Sequence, residues 1–141
     1  MKNFKSGFTM IELVFVIVIL GVLAAVAIPK FAATRTDAQI AKGRSDVASI
    51  RSGIVSERQA RLIKGNSSWI TKANLDKDGL FGGVLMYGLA DTANKDGAWS
   101  SAAAGSYVYR AGGKDTTFTY EDVNGTFKCT KNTEYCNELV N

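Results

Sequence analysis

The residue whose chemistry stands out in this sequence is Glu12, an acid that lies inside an apolar run. Residues 8–28 are otherwise interrupted only by Thr9 and Gly21, and no Lys or Arg occurs among them. An acid at the centre of a membrane span costs on the order of 2.5–3.5 kcal/mol, and somewhat less near its end. Two interpretations of Glu12 therefore stay open. Either another chain or a newly cut amino terminus supplies a cation, or the carboxylate reaches the membrane surface by snorkelling.

Other chemically active side chains are scarce. The 141-residue chain has no histidine and two cysteines, Cys129 and Cys136. Imidazole bases and histidine metal ligands are thus excluded, and two cysteines are too few for a four-cysteine zinc site. Serines are plentiful, but none has a histidine or an evident lysine partner to activate it. We expect a protein that is not an enzyme and that holds no cofactor or metal.

The apolar run has the length of a membrane-spanning helix. Its 21 residues, Phe8 to Ile28, would extend about 31 Å at 1.5 Å per residue, which matches a hydrocarbon core of roughly 30 Å. A secretory signal peptide has a shorter apolar core followed by small residues and a cleavage site. Ala24, Ala25 and Ala27 could imitate such a site, so that alternative stays open.

A second helical pattern follows directly. Residues 30–64 carry eight Lys or Arg against three acids, a net charge of +5, although the whole chain carries only +4. Two heptad-spaced files predict an amphipathic helix whose apolar stripe docks on a domain. Arg44, Arg51 and Arg58 recur on another face, where they either meet solvent and neighbouring subunits or, less simply, a nucleic acid. Nucleic-acid binding needs a clustered basic patch and more than charge periodicity, so we do not expect nucleic acid to be a partner by itself. The two apolar files are Ile40, Val47 and Ile54, and Ala41, Ala48, Val55 and Leu62.

The last 77 residues, 65–141, are expected to form a head with a marginal core of its own. Alternating aromatic residues and an Asn124-Gly125 turn predict an antiparallel sheet. Residues 80–89 are predicted to be a buried irregular segment or short strand, and residues 94–97 and 102–105 to be loops. We predict an α+β fold, a long helix packed on three to four strands. Three strands are assigned: Ser106–Arg110, Thr116–Tyr120 and Gly125–Cys129.

Lys2 and Lys5 form a basic leader before the string Gly7-Phe8-Thr9-Met10-Ile11-Glu12-Leu13. This segment resembles the processing site of type IV pilins and type II secretion pseudopilins. The apolar run then ends in Ala27-Ile28-Pro29-Lys30-Phe31, which also resembles that family. The likeness covers roughly residues 2–31, and residues 65–141 carry no such likeness.

The resemblance implies a course of processing and assembly. A membrane peptidase, the prepilin peptidase, would cut after Gly7, and the same enzyme would methylate the new amine of Phe8. The Glu12 carboxylate would then neutralise the Phe8 amine of a neighbouring subunit. The implied segments are residues 1–7 as a cleaved leader, 8–28 as transmembrane helix and filament core, 29–64 as its amphipathic continuation, and 65–141 as the head.

Two helix-weakening residues lie in this region. Pro29 lacks an N–H and is expected to kink or open the helix, and Gly21 has low helix propensity. In the family this stretch can lose helicity within the filament. Close packing between neighbouring helices is the other interpretation of Gly21.

The resemblance also assigns partners and a location. It implies a homo-oligomeric helical filament, an inner-membrane assembly platform, and membrane lipid before assembly. The chain would cross the bacterial inner membrane once, with its head outside the cytoplasm, and later enter a pilus or a periplasmic or cell-surface filament. Two alternatives stay open: a pseudopilin of a secretion or DNA-uptake system, and a monomeric membrane-anchored binding module.

Three features of the head depend on that location. An oxidising compartment favours a Cys129–Cys136 disulfide, which resembles the carboxy-terminal loop of many type IV pilins. Residues 74–79 resemble the start of a calcium loop, but Leu85 stands where the acid is expected, so a plain turn is the alternative. Residues 122–126, Asp-Val-Asn-Gly-Thr, fit an acid-extended N-glycosylation acceptor, although a turn explains Asn124-Gly125 equally.

Overall fold

The computed structural model describes residues 7–130 and 133–140. Its architecture is α+β, as predicted, with a long amino-terminal helix and a four-stranded antiparallel sheet. The chain divides into two compact units, Met1–Arg35 and Thr36–Asn141. The elements are α1 (Met10–Ile63), α2 (Lys72–Leu75), β1 (Ala98–Ala103), β2 (Ser106–Ala111), β3 (Lys114–Glu121), β4 (Thr126–Cys129) and α3 (Cys136–Val140).

In the first unit, the described residues form the start of α1. This helix is long and apolar enough to cross a membrane by length and composition. Its large apolar side chains are exposed, from 40% at Val16 to 82% at Met10. The α-helix continues through Gly21 and Pro29 without interruption. The basic leader residues Lys2 and Lys5 lie outside the described residues.

In the second unit, the sheet runs in the order β1-β2-β3-β4, and each neighbouring pair is antiparallel. Because side chains alternate across a strand, one face of the sheet carries the aromatic residues. The prediction that these residues form the core is confirmed, since each is at most 4% exposed. They are Tyr107, Tyr109, Phe118, Tyr120 and Phe127.

The helix docks on this face through a narrower stripe than the sequence predicts. The file of Ile40, Val47 and Ile54 is buried, as predicted, and Ile50 joins it at 0% exposure. Position 50 lies between 47 and 54 on the helix surface, because residues three and four apart share one face. The second file was predicted to dock and does not. All four of its residues are exposed: Ala41, Ala48, Val55 and Leu62.

The arginine file contacts its own chain, which corrects the interpretation of a solvated or partner-facing surface. Arg44 Nε donates to the carbonyl oxygen of Glu138 at 2.8 Å. Arg51 Nε donates to the carbonyl oxygen of Phe127 at 3.0 Å, so it occupies an acceptor on the edge strand β4. The Arg58 guanidinium lies 4.7 Å from the centroid of the Trp69 ring. The three arginines therefore hold the helix to the head, Arg44 and Arg51 through backbone carbonyls and Arg58 through the Trp69 ring.

Strand β1 is a correction to the predicted loop at residues 102–105, since it includes Ala102 and Ala103. The strand has no β-branched residue, so its local β-propensity is weak. Burial of Trp99 compensates, because its ring packs 5.0 Å from that of Tyr109 and 5.2 Å from that of Phe118. Residues 80–89 are irregular, as predicted, with a single bridge between Leu80 and Leu89. The prediction that this segment is buried holds only for Leu80 and Phe81, since Met86 and Tyr87 are 91% and 81% exposed.

Candidate processing and assembly segment

The first turn of α1 is built around Thr9 and Glu12. The Thr9 hydroxyl accepts a hydrogen bond from the Glu12 backbone N–H at 3.2 Å. In return, Glu12 Oε2 accepts one from the Thr9 backbone N–H at 3.5 Å. This reciprocal pair is a capping box, in which an amino-terminal Thr and an acid three residues later satisfy two free helix donors. The pattern Thr-x-x-Glu was visible in the sequence but was not recognised there.

The capping box gives Glu12 a structural role within a single chain. Its carboxylate is exposed and bonds locally, and the ion pairs among the described residues do not include it. A negative charge is favoured at a helix amino terminus by the helix dipole, typically by about 0.3–1 kcal/mol. Among residues 7–130 and 133–140, the helix dipole supplies partial positive charge to Glu12 and no ion pair reaches it.

The predicted cleavage site directly precedes this cap. Gly7 and Phe8 are both exposed, Phe8 at 77%. A Cβ atom added to Gly7 would meet no neighbour within 4 Å. The described residues therefore leave room for a larger side chain at position 7, so packing among them does not require glycine there.

The two helix-weakening residues lie further along α1. A Cβ atom on Gly21 would likewise meet nothing within 4 Å, so packing within the described chain does not require glycine. The α1 backbone is helical at both Gly21 and Pro29. Local opening in a filament and close approach of a neighbouring helix both stay predictions for this stretch.

The two cysteines are bonded to each other. Cys129 ends β4 and Cys136 begins α3, and their Cα atoms are 5.8 Å apart, within the usual range for a disulfide. The bond closes a short loop after which Leu139 packs into the core at 1% exposure. The predicted disulfide is confirmed.

The segment that resembles a calcium loop is used otherwise. Asp76 Oδ2 accepts a hydrogen bond from the Tyr107 hydroxyl at 2.8 Å, and Oδ1 accepts one from the Phe81 backbone N–H at 3.2 Å. Burial, and then the bond to Asp76, raise the pKa of Tyr107 well above its usual range. Among the described residues no three acidic or sulfur ligands gather to hold a metal. The plain-turn alternative accounts for Asp76.

Similarity to known proteins covers part of the chain. Residues 2–28 match the family described as the prokaryotic N-terminal methylation motif. The chain is 35% identical over 81 residues to a type IV major fimbrial protein FimA of Dichelobacter nodosus, covering 53% of this chain and 48% of that protein. A second FimA protein of that organism is 39% identical over 54 residues, covering 38% of this chain and 35% of that protein. The chain thus spans at most about half the length of these curated relatives. No solved structure matches it.

The chain is therefore similar to type IV fimbrial proteins over part of its length, and it carries the methylation motif at residues 2–28.

Proposed function

We propose that this chain is a structural subunit of a type IV pilus or pilus-like filament. It is inserted in the inner membrane, cut after Gly7 by prepilin peptidase, methylated on Phe8 and polymerised through α1 with the help of an inner-membrane platform. The methylation motif at residues 2–28 supports the processing step. The similarity to type IV major fimbrial proteins favours a pilus over a secretion or DNA-uptake pseudopilin.

The observation that carries this proposal is the exposed apolar surface of α1. The head closes a complete core in the single chain, whereas Phe15, Leu20 and Leu23 are 58–65% exposed. Full burial of one such side chain contributes about 1.5–3 kcal/mol. A run of them requires lipid before assembly and neighbouring helices afterwards. A monomeric anchored binding module would account for the lipid contact but not for the methylation motif at residues 2–28.

Cleavage changes the charges at the start of α1. Cutting the bond between Gly7 and Phe8 creates an ammonium group beside the helix amino terminus, where positive charge is unfavourable. Glu12 of a neighbouring subunit supplies the matching negative charge, so that two costly charges become one compensated pair. We assign Phe8 and Glu12 this role in assembly.

Processing is tested by intact mass spectrometry of the membrane-extracted protein. We expect a mature chain that begins at Phe8 and carries one added methyl group. Gly7→Leu should leave the precursor uncut while the head folds normally, because a side chain at position 7 meets no neighbour in the described chain. Gly21→Leu is the matched control, since position 21 is equally open; it should be cut.

A mature form that begins at Met1 or after Ala27 would overturn the proposed processing. Electron microscopy of sheared surface fractions then tests polymerisation separately from cleavage. We expect the processed chain to form filaments and the uncut precursor to form none. A fully processed chain that stays monomeric would contradict the proposed function.

A further inference from the structure

Two tripeptides of the head share one side-chain geometry. Both have the sequence Asn-x-Ser/Thr: Asn66-Ser67-Ser68 after α1, and Asn124-Gly125-Thr126 between β3 and β4. The Ser68 hydroxyl donates to Asn66 Oδ1 at 2.7 Å, and the Ser68 backbone N–H donates to the same atom at 2.9 Å.

The second tripeptide repeats this arrangement. The Thr126 hydroxyl donates to Asn124 Oδ1 at 2.7 Å, and the Thr126 backbone N–H does so at 3.1 Å. A carboxamide oxygen has two lone pairs, and both are occupied in each tripeptide. The carboxamide nitrogen then points away from the turn, and in neither asparagine does it have a hydrogen-bond partner among the described residues.

Both tripeptides lie at the same end of the head. Trp69 directly follows Ser68, and its ring packs against the backbone of Gly125, where a Cβ atom would overlap it. Gly125 also has φ of +69°, so glycine is required there for two reasons. Asn124 and its neighbour Val123 are exposed, Val123 at 86%. An enzyme can therefore reach the amide nitrogen from solvent.

We propose that Asn124 is an acceptor for N-linked glycosylation from a polyprenyl-diphosphate-linked oligosaccharide. The carboxamide nitrogen forms a bond to the anomeric carbon of the donor, and the bond from that carbon to the diphosphate oxygen breaks. The polyprenyl diphosphate leaves with the electron pair, and the nitrogen loses one proton to the transferase. The inference rests on the proposed function for one point, the location of the head outside the cytoplasm.

The two tripeptides differ in one position that decides which transferase accepts them. Asp122 stands two residues before Asn124, whereas Lys64 stands two residues before Asn66. Asn124 thus has the acid-extended form and Asn66 does not. A transferase that needs the acid should modify Asn124 alone, and Asn66 is a natural control within the same chain.

The test uses the purified full chain in detergent, with its disulfide intact, a purified acid-requiring oligosaccharyltransferase and a polyprenyl-diphosphate oligosaccharide. We expect a mass increase of one oligosaccharide, located by peptide sequencing at Asn124, and its loss in Asn124→Gln. The reaction requires neither export nor polymerisation, so its outcome is separate from that of the filament experiment.

Matched variants test the geometry. Thr126→Ser keeps the hydroxyl and should keep the modification, whereas Thr126→Val keeps the shape of the side chain and should lose it. Asp122→Asn should also lose it. The same pentapeptide, appended to the carboxyl end as a tail, is the positive control for the enzyme. A modified tail on a chain whose Asn124 stays unmodified, or is only deamidated, would overturn the proposal.

Discussion

In the single chain the Glu12 carboxylate accepts a hydrogen bond from the Thr9 backbone N–H, and the Thr9 hydroxyl accepts one from the Glu12 backbone N–H. Those contacts require no second subunit. A role in assembly must therefore be separated from a role in starting the helix, and Thr9 provides the means. Its hydroxyl belongs to the cap but carries no charge to pair with an amine.

We predict that Glu12→Leu is inserted and cut but forms no filaments. The substitution leaves the Phe8 ammonium without a counter-charge in an apolar filament core, at a cost of several kcal/mol per subunit. A processing blot and electron microscopy of sheared fractions measure the two steps separately.

Thr9→Ala is the matched control for that variant. It removes the cap hydroxyl, typically worth about 1 kcal/mol of helix stability, and leaves the carboxylate in place. It should still assemble. Equal loss of filaments in both variants would mean that Glu12 acts through the cap, and normal filaments from Glu12→Leu would contradict the charge pairing.

The buried tyrosines make the head sensitive to alkali. Burial, followed by the nearby Asp46 carboxylate, raises the pKa of Tyr109 from 10.0 to about 12, and burial raises that of Tyr120 as well. A phenol whose pKa is higher in the folded state binds its proton more tightly there. Its contribution to stability is complete below the unfolded pKa and is lost as pH rises through the folded one.

We therefore predict that the melting temperature of the head is independent of these groups below pH 10 and falls between pH 10 and pH 12. Circular dichroism melts across that range measure it. Tyr109→Phe should flatten the fall while lowering stability at neutral pH, since the hydroxyl donates to the Gln39 carbonyl oxygen at 2.5 Å. A melting temperature unchanged up to pH 12 would contradict the prediction.

At the scale of elements, helix propensity and packing disagree about Gly53. Propensity alone favours alanine by up to about 1 kcal/mol in a helix interior. A Cβ atom at this position, however, would lie 2.5 Å from the carbonyl oxygen of Val84. That atom belongs to the backbone, so the clash cannot be relieved by a side-chain rotation.

We predict that Gly53→Ala destabilises the head by about 1–3 kcal/mol, the usual cost of overpacking. Ser52→Ala is the control, because Ser52 is exposed one position away and should gain slightly from helix propensity. Urea unfolding of the detergent-solubilised chain compares the two. A Gly53→Ala chain as stable as the parent would refute close packing between α1 and Val84.

The sequence predicted elements where a local signal agrees with the tertiary contact. Alternating aromatics marked β2, β3 and β4, and the heptad of Ile40, Val47 and Ile54 marked the docked stripe. Strand β1 was missed because the burial of Trp99 in the core stabilises it, whereas its local β-propensity is weak. Ile50 was missed because it belongs to neither of the two heptad files considered.

The processing and assembly segment and the arginine file likewise differ in whether a local signal predicts them. Gly7, Phe8 and Glu12 could be recognised because they lie in a linear motif, the methylation motif at residues 2–28, which needs no tertiary contact to be identified. The intramolecular bonds of Arg44 and Arg51 could not be predicted, since their acceptors are backbone carbonyls 94 and 76 residues away. Periodicity places a side chain on a face of a helix but does not say what lies opposite.

At the scale of the whole molecule, the second unit leaves one face of α1 uncovered. Its central residues are small and uncharged, Ala41, Ser45, Ala48 and Ser52, and all are exposed. The neighbouring Arg44 and Arg51 are hydrogen-bonded to the head, and the nearest charge on this face is the exposed Asp37, one turn before Ala41. Small residues allow helices to approach closely, which is what a filament core made of packed α1 helices requires.

We predict that Ala48→Glu prevents filament formation without destabilising the head. An exposed substitution changes the free energy of unfolding by about 0.5 kcal/mol or less, whereas an unpaired charge buried between helices costs several kcal/mol.

The control is Lys128→Glu, a charge change at an exposed position on β4, which should leave filaments in place if α1 forms the core. Thermal melting and electron microscopy of the processed chains measure both quantities. Filaments of normal yield from a stable Ala48→Glu chain would exclude this face of α1 from the subunit contact, and loss of filaments in Lys128→Glu alone would move that contact to the sheet.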